Sequence, residues 1–134
     1  MTVPARRTFD LVEAVLSGAK TAASEIEPLA ALRGTLDGWA AGALLPLLDS
    51  ADRTVATVRI DRVDRLPLGE VGDDVAAAEG DWFRDAAAWR RAHERYWTGR
   101  LDEVRRHLRD DEWALSDSTV VLIRWFSVVR EAAR

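Results

Sequence analysis

The segment Ser118–Val129, near the C-terminus, constrains the fold more than any other part of the chain. Its apolar residues stand at odd and even positions alike: Val120, Val121, Leu122, Ile123, Trp125, Phe126, Val128 and Val129. Side chains alternate between the two faces of a strand, so a strand that is apolar on both faces needs cover on both. The segment therefore predicts a central strand in a layered sheet.

A β-hairpin is predicted in the middle of the chain. Gly42–Leu48 and Thr54–Leu66 are typical of strands, the polar stretch Asp49–Arg53 between them is typical of a turn, and Pro67 ends the second strand. A further extended segment is predicted over Lys20–Ile26. Together with the closing strand, these segments provide a small sheet.

The longer hairpin strand carries an irregularity near residues 61–62. Val58 and Ile60 share one parity, whereas Val63 has the other. A one-residue bulge would return all three side chains to one face, and bulges of this kind bend strands around the rim of a barrel.

The strongest helical pattern spans Trp82–Trp97. Residues recur there at spacings of four, three, four and three, which predicts one buried stripe: Trp82, Ala86, Trp89, His93 and Tyr96. Shorter helices are predicted at Phe9–Ser17, capped by Thr8 and ended by Gly18, at Asp73–Glu79, and at Leu101–Arg109, where Leu101, Val104 and Leu108 would be buried. Pro28–Trp39 is predicted to be a loop with one helical turn at Leu29–Arg33. Strands and helices in this mixed order indicate an α+β fold.

Length and composition limit the classes of function. A chain of 134 residues predicts one domain, 1–134, with a core over about 9–129. There is no cysteine and there are only two histidines, which excludes thiolate zinc sites and cysteine nucleophiles, so no metal or other cofactor is expected. No apolar stretch is long enough for a signal peptide or a membrane span, and the expected location is the cytoplasm. With a net charge of −4, any contact with nucleic acid must be local.

Lys20 is the only lysine among 19 basic residues, the other 18 being arginine. Its ammonium group can lose a proton when desolvated, which a guanidinium cannot do. It lies in a small-residue turn after the first predicted helix. Lys20 is thus a candidate pocket cation or base, and the alternative is a solvated lysine at a helix end.

Three blocks of the sequence resemble the ASCH domain family, whose fold is related to the PUA domain. Gly18-Ala19-Lys20-Thr21-Ala22 resembles the family's Gly-x-Lys-Thr-Ala motif. Ala78-Glu79-Gly80-Asp81 is similar to its Ala-Glu-Gly turn, followed ten residues after Glu79 by Trp89-Arg90-x-x-His93. Val120-Val121-Leu122-x-Arg124-Trp125 is similar to its closing strand. The three blocks occur in order and cover roughly residues 9–129.

The resemblance implies a PUA-like fold: a small curved β-barrel or sheet with helices packed on one side, and a cleft between the lysine turn and the Ala-Glu-Gly turn. Members of the family are linked to RNA as binders, as a ribonuclease, or as amidohydrolases of N4-acetylcytidine. In the amidohydrolases, a threonine three residues after the lysine is the nucleophile, the lysine activates it and a distant glutamate assists.

Carried over to this chain, the lysine is Lys20 and the glutamate is Glu79. The nucleophile position falls on Ala23, which has no hydroxyl group and cannot attack an acyl carbon. Ser24 follows directly and would share a face with Lys20 in an extended strand, so it is the candidate replacement nucleophile.

Other residues are candidate ligand contacts: Thr21, Arg84, Trp89, Arg90 and His93. A hydroxyl or a guanidinium would hold phosphate, and an indole would stack on a base, for which Trp39 and Trp82 are also candidates. The alternatives are a turn cap for Thr21, helix-surface ion pairs for the arginines, and a place in the core for Trp89 and His93.

These observations predict a domain that binds RNA, a nucleotide or a modified nucleoside in a polar cleft around Lys20 and Glu79. The alternative is a hydrolase, either an amidohydrolase of an N4-acylated cytidine or a ribonuclease, that uses the same two residues. No membrane partner is expected.

Overall fold

The computed structural model describes residues 11–129. Four strands form the sheet: β1 (Ala22–Ile26), β2 (Leu44–Leu48), β3 (Thr54–Pro67) and β4 (Val120–Val128). Within this range five helices accompany them: α1 (residues 11–17), α2 (Glu27–Leu32), α3 (Asp73–Glu79), α4 (Ala86–Thr98) and α5 (Leu101–Leu108). Two short 3₁₀ turns lie at Leu36–Gly38 and Leu68–Glu70. The α+β prediction is confirmed.

The sheet is antiparallel with strand order β1-β4-β3-β2, and it curls into a half-barrel. The closing strand β4 is central, because β1 pairs with one of its edges and β3 with the other. Val121 and Ile123 have no exposed surface and Leu122 has 4%. The prediction of a central strand covered on both faces is confirmed for this part of β4.

The predicted bulge in β3 is confirmed. The register with β4 shifts between Ile60 and Arg62, so that Ile60 lies opposite Phe126 and Val63 lies opposite Arg124. Without the extra residue, Val63 would point to the other face. The bulge therefore keeps the apolar side chains of β3 on one face while the strand bends.

Helices α2 to α5 pack on one face of the sheet, as predicted. Their buried side chains, with Trp89 and Trp97 the largest, form one core with residues of β1 and β4. Helix α1 lies on the opposite face, where Leu11 and Val15 share a hollow with Ala23 of β1. Over residues 11–129 the structure has no helix with the length and apolar character needed to cross a bilayer.

Two predictions for the tryptophan helix are wrong. The helix begins at Ala86 rather than at Trp82, because the Asp85 side chain caps it by accepting a hydrogen bond from the backbone N–H of Ala88 at 2.8 Å. Tyr96 is 44% exposed, and Trp97 takes the core position instead. The inner face of α4 is set by spacings of four from Trp89 to Trp97, and Tyr96 lies beside this stripe.

Other boundaries differ as well. The helical turn predicted at Leu29–Arg33 is present, but it begins earlier, as helix α2 (Glu27–Leu32), which tolerates Pro28 in its first turn. The last helix ends at Leu108, which is 40% exposed, and only Val104 of the three predicted residues is fully buried. Thr8 and Phe9, predicted to begin the first helix, lie outside the described residues.

Candidate functional site

The lysine turn is fastened to the end of α3. Gly18, with φ of +87°, follows α1, and the backbone N–H of Thr21 donates to the carbonyl of Ala78 at 2.7 Å. This contact brings Lys20 beside Glu79, which is 59 residues away in the sequence. The Lys20 ammonium donates to the carbonyls of Ala22 at 2.9 Å and Glu79 at 3.1 Å, and lies 3.7 Å from the Glu79 carboxylate oxygen Oε1.

The Glu79 carboxylate is the centre of a set of five residues, which we call the Glu79 cluster: Lys20, Ser24, Glu79, Trp89 and His93. Ser24 Oγ donates to Oε2 at 2.5 Å, and the indole N–H of Trp89 donates to the same oxygen at 2.7 Å. His93 Nε2 lies 3.3 Å from Oε1. The side chain is only 5% exposed, so these contacts replace water as the partners of a buried charge.

The imidazole of His93 is held on both sides. Nδ1 lies 2.8 Å from the carbonyl oxygen of Trp89, an acceptor, so this nitrogen carries a hydrogen. The contact between Nε2 and Glu79 is then an ion pair when the second nitrogen is also protonated. The ring stacks on the Trp89 indole, with centroids 4.3 Å apart, which fixes its orientation.

The cluster perturbs two ionisable groups. Burial opposes ionisation of Glu79, but hydrogen bonds and the charges of His93 and Lys20 outweigh it, and the pKa of Glu79 lies below its usual value. Burial lowers the pKa of Lys20, an effect that Glu79 partly reverses and the charge of Arg124 reinforces. The arrangement therefore favours an ionised glutamate beside a partly desolvated lysine.

The order of contacts in the cluster limits its chemistry. In a Ser-His-Asp triad the histidine stands between the nucleophile and the carboxylate. Here Glu79 stands between Ser24 and His93 instead. A carboxylate with a lowered pKa is a weak base for a serine hydroxyl. The cluster is better suited to holding charges in place than to activating Ser24.

Lys20 also lines a hollow of about 180 Å³ on the α1 side of the sheet, which we call the Arg124 hollow. Ala23 and Arg124 are direct partners across β1 and β4 and both line it. A second hollow, about 490 Å³, shares Arg124 with the first and includes Trp39. The Arg124 guanidinium lies 4.1 Å from the Trp39 ring centroid and donates to the carbonyl of Gly38 at 3.0 Å.

A third depression, about 420 Å³, lies on the helix side of the sheet. Ser24 and His93 line it together with aromatic rings of Phe83, Tyr96 and Trp97. Ser24 and Ala23 are consecutive residues of β1, so they face the two different sides of the sheet.

The remaining predicted contacts lie outside the Glu79 cluster. Arg90 pairs with Asp117 at 2.7 Å and with Glu94 at 3.4 Å, the kind of ion pairing expected on a helix surface. Arg84 is exposed and forms no ion pair with any of residues 11–129. Thr21 lines a hollow beside Lys20. Across residues 11–129 no three histidine, aspartate or glutamate side chains are grouped so as to hold a metal ion.

Sequence reasoning missed Arg124 as a site residue. Its charge stands alone in the nine residues of β4, which are otherwise apolar apart from Ser127. A single charge in a central strand is costly unless it faces a solvated hollow or a partner, so this contrast could have singled out Arg124.

Comparison with known proteins decides the family. The ASCH domain model matches residues 4–130. The chain belongs to the ASCH domain family. Among solved structures, the chain is similar to an ASCH domain from Lactobacillus crispatus JV V101, with 21% identity and a TM-score of 0.73 over 90% of this chain and 70% of that one. It is also similar to protein EF3133 from Enterococcus faecalis V583, with 22% identity and a TM-score of 0.70 over 90% and 67%. No curated protein matches the chain significantly.

Proposed function

We propose that this ASCH domain binds a nucleotide, a modified nucleoside or a segment of RNA in the Arg124 hollow, which is lined by Lys20, the ion-pair partner of the buried Glu79. The observation that carries the proposal is the position of Lys20. Its ammonium is fixed by two carbonyls and the nearby Glu79 carboxylate, and it lines the Arg124 hollow.

The hollow offers two kinds of contact that a nucleotide needs. Lys20 and Arg124 supply positive charge and hydrogen-bond donors, and its apolar walls and the neighbouring Trp39 ring supply surfaces for a planar base. Glu79 keeps the lysine in place through an ion pair, which fixes the position of the charge that the ligand meets.

A thermal-shift panel tests this function. Ribonucleosides, ribonucleotides, N4-acetylcytidine and short RNA oligonucleotides are each added to the purified protein. A true ligand at a hundredfold excess over Kd should raise Tm by about 5–10 °C. Lys20→Ala should abolish the shift, measured from the variant's own Tm, whereas Arg91→Ala, which removes an exposed positive charge elsewhere, should retain it. No shift with any compound would contradict the proposal.

Hydrolysis is the second candidate function, and the position of Ser24 favours it, although Glu79 is a weak base for the serine hydroxyl. Ser24 Oγ donates to Glu79 Oε2 at 2.5 Å and Ser24 lines the depression that also contains His93. Incubation with N4-acetylcytidine and with end-labelled RNA tests this. Turnover that is lost in both Lys20→Ala and Ser24→Ala would support a hydrolase, and binding without turnover would support the binding function alone.

A further inference from the structure

Among residues 11–129, the lining of the Arg124 hollow includes two cations and no carboxylate. Apart from Lys20 and Arg124, its lining is apolar: Leu11, Val15, Ala23, Leu45, Pro46, Leu47, Val58, Ile60 and Phe126. Two like charges in an apolar hollow repel each other more strongly than they would in water. The lining residues do not neutralise this charge, and the two carboxylates that act on the cations, Glu79 on Lys20 and Glu25 on Arg124, lie outside the lining.

The guanidinium of Arg124 has donors to spare. It carries five N–H groups, of which one bonds to the carbonyl of Gly38 while the flat face lies over Trp39. Within residues 11–129 no carboxylate oxygen lies within 4 Å of it, so the guanidinium is partly buried without an ion-pair partner. A fork of N–H groups in this state matches the oxygens of a phosphate.

Lys20 is neutralised only in part. Two of its three N–H groups bond to backbone carbonyls, and the Glu79 oxygen at 3.7 Å is too far for a hydrogen bond. Burial lowers the pKa of both Lys20 and Arg124. Glu79 partly offsets this effect at Lys20 and Glu25 partly offsets it at Arg124, whereas the charge of Arg124 adds to it at Lys20. An anion in the hollow would relieve this cost for both groups at once.

The register of the sheet explains why Arg124 reaches the hollow. Ala23 lies directly opposite Arg124 in the β1–β4 ladder, and its methyl group occupies little of the space between the strands and α1. A longer side chain at position 23 would fill the hollow beside Lys20.

We infer that the Arg124 hollow is an anion site in which Arg124 and Lys20 hold a phosphate group. Arg124 is then the residue that sets specificity for phosphorylated ligands, nucleotides or RNA phosphodiesters, over uncharged nucleosides. This inference rests on the proposed function, because it assigns the ligand class of the same cleft.

Calorimetric titration tests the inference with four probes: a ribonucleoside, its 5′-monophosphate, a short oligoribonucleotide and inorganic phosphate. We expect the monophosphate to bind the unaltered protein at least tenfold more tightly than the nucleoside. Arg124→Gln should remove most of this preference by weakening the binding of the monophosphate far more than that of the nucleoside, and Arg124→Lys, which keeps the charge without the fork, should retain part of the preference. Arg91→Gln is the matched control, since it removes an exposed arginine outside the hollow.

Three results would overturn the inference: equal affinity for nucleoside and monophosphate, equal loss of both in Arg124→Gln, or no binding of any probe. The oligoribonucleotide separates the two sources of phosphate, because tighter binding of the strand than of the monophosphate indicates RNA. The inorganic-phosphate arm separates this inference from the proposed function. Binding of phosphate that Arg124→Gln abolishes would uphold the anion site even if no nucleoside, nucleotide or RNA bound.

Discussion

At the scale of single residues, the Glu79 carboxylate stabilises the fold through contacts that reach three separate elements. Ser24 on β1 and Trp89 on α4 donate hydrogen bonds to it, and Lys20, from the turn before β1, and His93 on α4 lie within 4 Å of its Oε1 atom. Hydrogen bonds to a buried charge are stronger than those between neutral groups, and the loss of one leaves its buried partner without a hydrogen bond.

The substitution Glu79→Gln is therefore expected to lower the free energy of unfolding by about 2–3 kcal/mol. An amide presents one acceptor and one donor where the carboxylate offers two acceptors, so at least one neighbour loses its bond. Urea denaturation followed by tryptophan fluorescence measures the loss. Glu94→Gln, at a half-exposed carboxylate paired with Arg90, is the control and should change stability by less than about 0.5 kcal/mol. Equal effects of both substitutions would contradict the role of the cluster.

The difference in unfolding free energy between wild type and Glu79→Gln should depend on pH, with a sign that follows from the pKa of Glu79. The folded-state pKa of Glu79 lies below the ordinary value of 4.5, because His93 and Lys20 overcome the opposing effect of burial. The stabilisation by its charge is thus complete above 4.5 and is lost as the pH falls through the lower, folded-state pKa. The difference in unfolding free energy between wild type and Glu79→Gln should narrow over this acidic range. A difference that stays constant down to pH 3 would show that the carboxylate charge is not involved.

Lys20 and Glu79 were brought together by the resemblance to the ASCH family, because each lies in a short motif of that family. Ser24, Trp89 and His93 follow from the periodicity of a strand and a helix. Arg124 could not be placed, because its partner Ala23 is fixed by the register between two strands a hundred residues apart. Tyr96 was assigned to the wrong side of its helix because a stripe of spacings three and four leaves the edge residues ambiguous.

At the scale of elements, Gly80 sets the path of the chain between the end of α3 and Trp82. It follows Glu79 directly, has φ of +131°, and a Cβ built on it would lie 2.3 Å from the Trp82 ring. Only a residue without a side chain fits this close approach, so the position of Glu79 depends on Gly80.

We expect Gly80→Ala to destabilise the protein by about 3 kcal/mol or more, through backbone strain and overlap with Trp82. Gly42→Ala is the matched control: Gly42 also has positive φ, +91°, but has open space where the methyl group would lie. Its cost should be limited to strain, about 1–2 kcal/mol. Thermal unfolding of the two variants measures the difference, and equal costs would mean that Trp82 simply moves aside.

Among the elements, the bulge in β3 and the central place of β4 follow from the spacing of apolar residues, which reports directly on the two faces of a strand. The sequence predicts the boundaries of the helices less accurately. The side chain of Asp85 caps α4, so the helix begins after Asp85 although the apolar pattern reaches back to Trp82. Helix α2 forms from a short segment that contains Pro28, and the packing of this segment against the sheet is not visible in its sequence.

At the scale of the whole molecule, the protein has a net charge of −4, whereas the Arg124 hollow is lined by two positive charges. A protein of this kind gains little from long-range attraction to a polyanion. If two phosphates at most are contacted, Kd for a single-stranded oligonucleotide should rise with salt with a log–log slope of about 1.4. Fluorescence anisotropy between 50 and 300 mM NaCl measures this slope. A slope of 4 or more would indicate an extended basic surface and not the Arg124 hollow.

Consecutive residues of strand β1 face the two different sides of the sheet. Ala23 faces the hollow with the cations and Ser24, its neighbour, is tied to Glu79 on the helix side. Exchanging these two side chains would leave the composition of β1 unchanged. It would move the hydroxyl from the helix side of the sheet, where it bonds to Glu79, to the side of the Arg124 hollow, where it could contact a bound ligand. A shift of one position along β1 therefore decides which side of the sheet the hydroxyl faces.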